Sequence, residues 1–257
     1  MLTRPPAGEF RRRLLAREVL LGTFVKTPHP AVIEVLGESP LDCICLDAEH
    51  APFDRVALDG ALLAARAANL PALVRVQRPN PTDVLNALDL GAIGVVIPHL
   101  ASSQDARAMA LAARYGPGGR GYAGSTRAAG YGTRSMSDII SEANDAVVVI
   151  GQIEDAAALD QLDAIAAVNG IDALFIGRMD LTVSLGARSP SDTEVISSVR
   201  AVCATARRHA CAVGMFTQTI EEARQWTSDG ASLFLLASDQ QWILQGARDL
   251  VARFRGT

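Results

Sequence analysis

The sequence predicts a (β/α)8 barrel that occupies residues 1–257 as a single domain. Three observations favour this fold: eight apolar runs of strand length, alanine-rich segments of helical spacing between them, and no nucleotide-binding glycine turn after the first run. An open doubly wound sheet is the rival architecture, but its first strand usually leads into a G-x-G-x-x-G turn. Here the first run continues as VKTPHP over residues 25–30, which favours the closed barrel.

The apolar runs are interpreted as buried parallel strands, because strands covered on both faces are continuously apolar rather than alternating. They span residues 20–25, 42–48, 72–77, 94–100, 146–154, 173–177, 212–217 and 232–238. Helices are expected between them, most clearly over residues 55–69, 81–90 and 193–209. Proline after a polar residue marks helix starts near Pro81 and Pro190, and Gly91, Gly170 and Gly230 follow helix ends.

Composition restricts the classes of function. Of the 257 residues, 49% are hydrophobic and 20% are charged, as in an ordinary globular protein. The formal net charge of −4 gives no general affinity for nucleic acid, and no apolar run is long enough to cross a bilayer. The arginine-rich start lacks the apolar stretch and cleavage site of a secretory signal. We therefore expect a cytoplasmic protein that binds neither nucleic acid nor membranes.

The cysteines and the lysine restrict the chemistry. Cys43, Cys45, Cys203 and Cys211 form no C-x-x-C pair, and we expect them to be reduced, buried thiols. Lys26 is the only lysine of the chain, so any Schiff-base mechanism would depend on it. Nothing around Lys26 suggests the desolvated pocket that would lower its pKa, and we discard a Schiff base.

Three short carboxylate motifs each follow an apolar run. They read D-A-E-H over residues 47–50, Q-I-E over 152–154 and G-R-M-D over 177–180. Because the carboxyl ends of barrel strands meet at one mouth, these groups are expected to converge there. Carboxylates that converge would form a site for a hard cation, with a histidine beside it to move protons.

Several polar residues near this mouth allow more than one interpretation. Arg75 lies inside an apolar run, and a buried arginine needs an anionic partner, so we expect it at the site. Glu49 is favoured as a structural hydrogen-bond acceptor over a ligand, whereas Asp47 could equally orient the metal or cap its loop. His99 is interpreted as a rim residue. The glycine-rich segment 114–121 lacks the Gly-Lys-Ser/Thr ending of a phosphate loop and is interpreted as a flexible loop over the site.

These motifs, in this order, resemble the HpcH/HpaI aldolase family, which are metal-dependent pyruvate aldolases built on a (β/α)8 barrel. The similar segments cover most of the chain and include LLGTFVKTPHP, LDAEHAP, LVRVQ, LDLGAIGVVIPHL, RYGPGGRGYAGSTRAAGYG, IGQIED, VNGIDALFIGRMDLTVSLG and AVGMFT. The resemblance implies reversible aldol cleavage of a 4-hydroxy-2-oxo acid through a metal-stabilised enolate. The products would be pyruvate, or a related 2-keto acid such as hydroxypyruvate, and an aldehyde.

The resemblance also implies roles for individual residues. Glu154 and Asp180 would hold a divalent cation, Mg²⁺ or Mn²⁺, with Co²⁺ and Zn²⁺ as alternatives. Arg75 would stabilise the enolate oxygen, and Gln152 would contact the substrate. His50 would be the acid–base residue.

Two further roles concern the surroundings of this histidine and the assembly. Asp47 would orient water or metal. Asp89 matches a family aspartate that raises the basicity of His50 from a neighbouring subunit. Members of the family form hexamers with an exchanged C-terminal helix, for which Asp239–Arg255 is the candidate here.

Two positions depart from the family pattern. Where relatives carry small residues or proline after Gly177, this chain has Arg178 and Met179, next to the backbone that receives the pyruvate carboxylate. Phe216 replaces a smaller aliphatic residue that lines the aldehyde pocket. These departures bear on the choice of donor and of acceptor aldehyde more than on the reaction.

Two other functions compete with the aldolase. An acyl-CoA lyase of the citrate-lyase-β type would share the barrel and the metal carboxylates but would need a surface for coenzyme A, and we find no basic cluster for one. A non-catalytic ligand-binding barrel would have no need of the general base His50.

Overall fold

The computed structural model describes residues 7–256, in which eight parallel strands close into one barrel in sequence order. The predicted fold is therefore confirmed. Residues 1–6 and Thr257 of the predicted domain lie outside the described residues. The strands are β1 Leu20–Val25, β2 Cys43–Asp47, β3 Ala72–Arg75, β4 Gly94–Ile97, β5 Val148–Ile153, β6 Ala173–Ile176, β7 Ala212–Thr217 and β8 Leu233–Ser238.

Helices connect the strands and surround the barrel. They are α1 Phe10–Leu15, α2 Pro30–Gly37, α3 Arg55–Ala67, α4 Pro81–Asp89, α5 Ser103–Ala112, α6 Met136–Ala146, α7 Ala156–Leu159, α8 Leu162–Ala166, α9 Arg178–Ser184, α10 Thr193–Arg208, α11 Ile220–Ser228 and α12 Asp239–Arg255, with short 3-10 helices at Ala7–Glu9 and Gly130–Gly132. Many helices begin where a polar side chain accepts a backbone N–H, as Asp54 does before α3 and Asn80 before α4. Among the helices of residues 7–256, none combines the length and apolar character needed to cross a bilayer.

The protein has two hydrophobic cores, one inside the barrel and one between the barrel and the surrounding helices. Aromatic and aliphatic side chains such as Phe24 and Phe175 fill the barrel, while a larger cluster packs between the strands and the outer helices. Phe10 and Leu14 of α1 belong to the inner cluster and close the N-terminal end of the barrel. The barrel is therefore filled at its base, and a site can form only at the opposite mouth.

The fourth strand is shorter than predicted. Pairing of β4 with β5 ends at Ile97, and His99 then adopts a φ of 51°, in the left-handed region. The side chain of Leu100 folds over Gly151, where a Cβ atom would lie 2.3 Å from it. This turn directs the chain across the mouth of the barrel instead of extending the strand.

The glycine-rich segment 114–121 does not cover the mouth of its own barrel, so that interpretation was wrong. Arg114 donates to the carbonyl of Gly170 at 2.9 Å and forms an ion pair with Asp172 at 3.4 Å, just before β6 begins. Arg120 of the same segment forms an ion pair with Asp89. The segment follows α5, and in this fold helices end at the N-terminal face, which places it there.

Candidate active site

A cavity of about 400 Å³ opens at the carboxyl ends of the strands. Its size is within the range of small-ligand sites. The predicted site residues that line it are His50, Arg75, Gln152, Gly177, Met179, Asp180 and Phe216. Residues from five strand ends, separated by more than 160 positions in the chain, therefore share one cavity, as the motif analysis predicted.

Arg75 is fixed by a buried carboxylate. Its Nε and Nη2 atoms donate to the two oxygens of Asp47 at 3.0 and 2.8 Å, and its guanidinium lies 4.6 Å from the ring centroid of Phe24. Burial opposes charge on Arg75, but the hydrogen bonds and the charge of Asp47 outweigh it and raise its pKa. The expected anionic partner of Arg75 is thus Asp47.

Asp47 also shapes the turn that carries His50. Its Oδ1 accepts the backbone N–H of His50 at 3.1 Å, and the carboxylate is fully buried. Burial raises the pKa of Asp47. The hydrogen bonds from Arg75 and the arginine charge together outweigh this effect, so the pKa of Asp47 is lowered overall. The side chain of His50 is 55% exposed and reaches the cavity. Asp47 therefore caps the loop while neutralising Arg75.

Glu154 is the most strongly constrained acid at the mouth. It is 2% exposed, Gln152 donates to its Oε2, and the backbone N–H of His99 donates to its Oε1 at 2.7 Å. At Gly177 a Cβ atom would lie 2.7 Å from Glu154 Oε2, so only glycine leaves room for this carboxylate. Gln152, Gly177 and the turn after β4 together fix Glu154 next to residues that line the cavity.

A second acid and a histidine lie beside Glu154. One ligand atom from each of Glu49, His99 and Glu154 lies within 4.8 Å of the others. Burial raises the pKa of Glu49, against the opposing charge of Arg75. Among the described residues, Glu49 Oε2 is buried without a hydrogen-bond partner, although Arg75 Nε lies 3.3 Å away. Two carboxylates and an imidazole form a donor set that fits a divalent metal ion.

The structure places Glu49 and His99 together in a possible metal-binding cluster that the sequence interpretation did not predict. Glu49 was favoured as a hydrogen-bond acceptor, yet one of its oxygens has no donor within residues 7–256. His99 does lie on the rim, but it lies against Glu154. The signal that could have identified His99 is its position directly after a strand, where the acidic motifs also occur.

Asp180 and Met179 lie in the first turn of α9, exposed to solvent, and form one wall of the cavity. Asp180 is not part of the Glu49–His99–Glu154 cluster. Arg178, the residue that departs from the family pattern, forms an ion pair with Glu222 of α11 at the same wall. The charge of Arg178 is thus compensated within the chain.

Phe216 is half-buried and lines the cavity from β7. Its ring centroid lies 6.0 Å from that of Phe24, so two aromatic rings form the apolar side of the cavity. The aromatic surface therefore adjoins Arg75, whose guanidinium lies over the Phe24 ring.

Asp89 does not join the site of its own barrel. It is the last residue of α4, half-buried, and forms an ion pair with Arg120. The carbonyl of Asp89 also accepts the N–H of Ala128 at 3.4 Å. This places it at the N-terminal face, as its position between α4 and β4 predicted.

Comparison with known proteins identifies the family. A model of the HpcH/HpaI aldolase/citrate lyase family matches residues 20–246. The hydroxypyruvate/pyruvate aldolase of Roseovarius nubinhibens is 32% identical over 254 residues, covering 97% of this chain and 98% of that protein. A 5-keto-4-deoxy-D-glucarate aldolase of Salmonella paratyphi C is 32% identical over 234 residues, covering 90% and 91%.

A solved structure agrees with these matches. The crystal structure of an HpcH/HpaI aldolase/citrate lyase family protein from Burkholderia cenocepacia superposes with a TM-score of 0.92 at 33% identity, covering 96% of this chain and 99% of that one. The two named relatives are aldolases, which favours this activity over an acyl-CoA lyase or a non-catalytic barrel. The chain belongs to the HpcH/HpaI aldolase/citrate lyase family and is a carbon–carbon lyase of the aldolase type.

Proposed function

We propose that this enzyme cleaves a 4-hydroxy-2-oxo acid reversibly to pyruvate, or to a related 2-keto acid such as hydroxypyruvate, and an aldehyde. The observation that carries the proposal is the single cavity lined by the arginine Arg75, the acid Asp180 and the exposed histidine His50. The names of the relatives from Roseovarius and Salmonella support a keto-acid substrate. The aromatic side formed by Phe216 would receive the aldehyde fragment.

The proposed enzyme uses a divalent cation held by Glu154 and Asp180. The buried, well-oriented carboxylate of Glu154 and the unpaired oxygen of Glu49 support a cation at this position. When bound, the cation supplies a Lewis acid that stabilises the negative charge developing on the 2-keto oxygen. If oxygen ligands alone hold it, Mg²⁺ or Mn²⁺ is expected.

Arg75 would stabilise the same developing charge from the protein. Its guanidinium is already held by Asp47, so little reorganisation is needed when the enolate oxygen forms. In this proposal Asp47 acts by positioning Arg75. Gln152 and the backbone from Gly177 to Met179 would bind the keto-acid fragment at the base of the cavity.

His50 would move the proton. In the cleavage direction it would accept the proton of the C4 hydroxyl as the C3–C4 bond breaks and return it to C3 of the keto-acid fragment. Its exposed imidazole lines the cavity, and its backbone is fixed by Asp47, which supports this role.

We propose further that Asp89 reaches His50 from a neighbouring subunit of a hexamer. The C-terminal helix α12 supports exchange between subunits, because Asp239 is its only buried residue among those described. The barrel, residues 1–257, would act as a single domain. The four cysteines are free and buried, which supports a reducing, cytoplasmic location.

Removal of metal tests the proposed mechanism. Chelator should abolish cleavage, and added Mn²⁺ or Mg²⁺ should restore it. Treatment of the wild type with borohydride in the presence of pyruvate should trap no covalent adduct. The Lys26→Arg variant should retain metal-dependent cleavage and likewise form no adduct. An adduct on Lys26, found by mass spectrometry, would contradict the metal-dependent route, as would full activity after chelation.

A further inference from the structure

An ion pair between two outer helices forms part of the cavity wall. Arg178 begins α9 directly after β6, and Glu222 lies in the first turn of α11, which follows β7. Both residues line the cavity, and Nη2 of Arg178 donates to Glu222 Oε1. Their side chains are only 20% and 18% exposed, so the pair is largely withdrawn from solvent.

Glu222 is held through both of its carboxylate oxygens. Oε2 accepts the backbone N–H of Gln218 at 3.2 Å, while Oε1 accepts from Arg178. Gln218 directly follows β7 and lines the cavity together with Phe216, on the side assigned to the aldehyde fragment. The negative charge of Glu222 is therefore fixed where the far end of the aldehyde would lie.

Each lysine or arginine that lines the cavity already has a carboxylate partner. Arg75 pairs with Asp47 at 2.8 Å, and Lys26 Nζ lies 3.5 Å from the same carboxylate. Their surplus positive charge lies at the ends of β1 and β3, where the enolate would form. At the aldehyde side, the charge of Arg178 is compensated by Glu222. An aldehyde that carries a carboxylate would meet a fixed like charge there, which is unfavourable.

The same wall offers hydrogen bonds to uncharged groups. The exposed amide side chains of Gln218 and Gln241 line the cavity, and an amide supplies both donors and acceptors. The guanidinium of Arg178 adds donors, and the carboxylate of Glu222 adds acceptors. A hydroxyl group uses one of each, so a hydroxylated aldehyde can be bound without bringing a charge to the wall.

We propose that the Arg178–Glu222 pair selects the acceptor, favouring neutral, hydroxylated aldehydes over aldehydes that carry a carboxylate. The inference rests on the proposed function and names the class of aldehyde that this function uses. The pair determines specificity through charge and takes no part in bond cleavage. Discrimination comes from the repulsive element, Glu222, as much as from the hydrogen bonds that the wall provides.

Aldol addition of pyruvate to two matched aldehydes tests this inference. 4-Hydroxybutanal and succinic semialdehyde differ only in a terminal hydroxymethyl group in place of a carboxylate. The wild type should have the higher kcat/KM for the hydroxyaldehyde. Glu222→Gln should raise the kcat/KM ratio of semialdehyde to hydroxyaldehyde by about 10- to 100-fold, because Arg178 is then free to bind a carboxylate. Arg178→Gln should lower the same ratio.

Glu221→Gln is the matched control, because it removes the same charge from the adjacent, exposed residue, which does not line the cavity. Its ratio should equal that of the wild type. Both aldehydes are measured on one preparation, so any loss of folded enzyme cancels in the ratio.

An unchanged ratio in Glu222→Gln, an equal rise in Glu221→Gln, or a wild type that prefers the semialdehyde would overturn the role of the ion pair alone. Failure of the wild type to add pyruvate or hydroxypyruvate to either aldehyde would overturn the proposed function as well.

Discussion

At the scale of single residues, the pair of Asp47 and Arg75 connects stability to the site. The two residues are register partners on neighbouring parallel strands, so their side chains emerge side by side. Both are buried, and each offsets the desolvation of the other. Removal of one member breaks a buried ion pair and leaves the other with only a longer contact, from Arg75 to Glu49 at 3.3 Å or from Asp47 to Lys26 at 3.5 Å, which is costly.

Asp47→Asn should therefore destabilise the fold by about 3 kcal/mol, because Arg75 stays buried with only the more distant Glu49 as its anion. Urea denaturation followed by circular dichroism measures the change. Asp163→Asn is the control, since Asp163 forms its ion pair with Arg208 on the surface and its loss should barely alter stability. Equal stability of the two variants would show that Asp47 is not essential to the charge balance of Arg75.

His50→Ala should keep metal and pyruvate binding but slow turnover by a factor on the order of 10² to 10⁴, because only proton transfer is lost. Exchange of the pyruvate methyl protons with deuterated water, followed by NMR, should slow in parallel. Glu154→Gln and Asp180→Asn should instead lose metal affinity and activity together. His29→Ala, which removes the exposed histidine at the start of α2, should leave exchange unchanged. Loss of metal from His50→Ala would make His50 a ligand.

At the scale of elements, α12 is distinct from the other long helices because it leaves the barrel it follows. Its N-terminus is anchored where Asp239 accepts the backbone N–H groups of Lys26 and Thr27 at 2.8 and 3.1 Å. Beyond this anchor it exposes a stripe of apolar residues at helical spacing, in which Ile243, Leu250 and Phe254 are 65%, 70% and 91% exposed. A stripe of this kind is typical of a helix that packs against another chain.

The double substitution Ile243→Ser and Leu250→Ser should dissociate the oligomer, because it removes apolar area from the exchanged helix. Sedimentation velocity measures the change in mass. Gln245→Ala on the opposite face of α12, where Gln245 bonds only Asp249 of the same helix in the described contacts, is the matched control. Unchanged mass in the double variant would exclude the stripe as an interface.

At the scale of the whole molecule, Asp89 and His50 lie at opposite faces of the barrel. Asp89 ends α4 at the N-terminal face, whereas His50 follows β2 at the mouth. No rotation of side chains within one subunit joins these faces, so any contact requires a second subunit. Assembly would then be part of the active site.

Asp89→Asn should lower activity without removing metal, because the imidazole of His50 loses its carboxylate partner. Mixing inactive Asp89→Asn with inactive His50→Ala subunits should recover about a quarter of wild-type activity, since random assortment pairs intact residues at that fraction of interfaces. Subunit exchange is verified by native mass spectrometry. If subunits exchange but activity does not recover, or if a monomer is fully active, Asp89 does not act on His50 and its role is limited to the ion pair with Arg120.

Most of the fold could be predicted from the sequence because it is encoded locally. Apolar runs of strand length and the polar residues after them identified all eight strands, and the helix starts near Asp54 and Asn80 follow from their capping side chains. The strand ends were less accurate. Residues 98–100 were predicted to continue the fourth strand, but the left-handed backbone of His99 and the packing of Leu100 over Gly151 end β4 earlier.

The sequence by itself therefore determined the barrel, the family and the convergence of Glu154, Arg75 and His50 at one mouth, because barrel topology brings strand ends together whatever the register. Only the tertiary structure decided which side chains touch. The pairing of Asp47 with Arg75 depends on the register of β2 and β3, and the approach of His99 to Glu154 depends on a left-handed turn. Such contacts arise from the packing of residues distant in the chain, which no local pattern records.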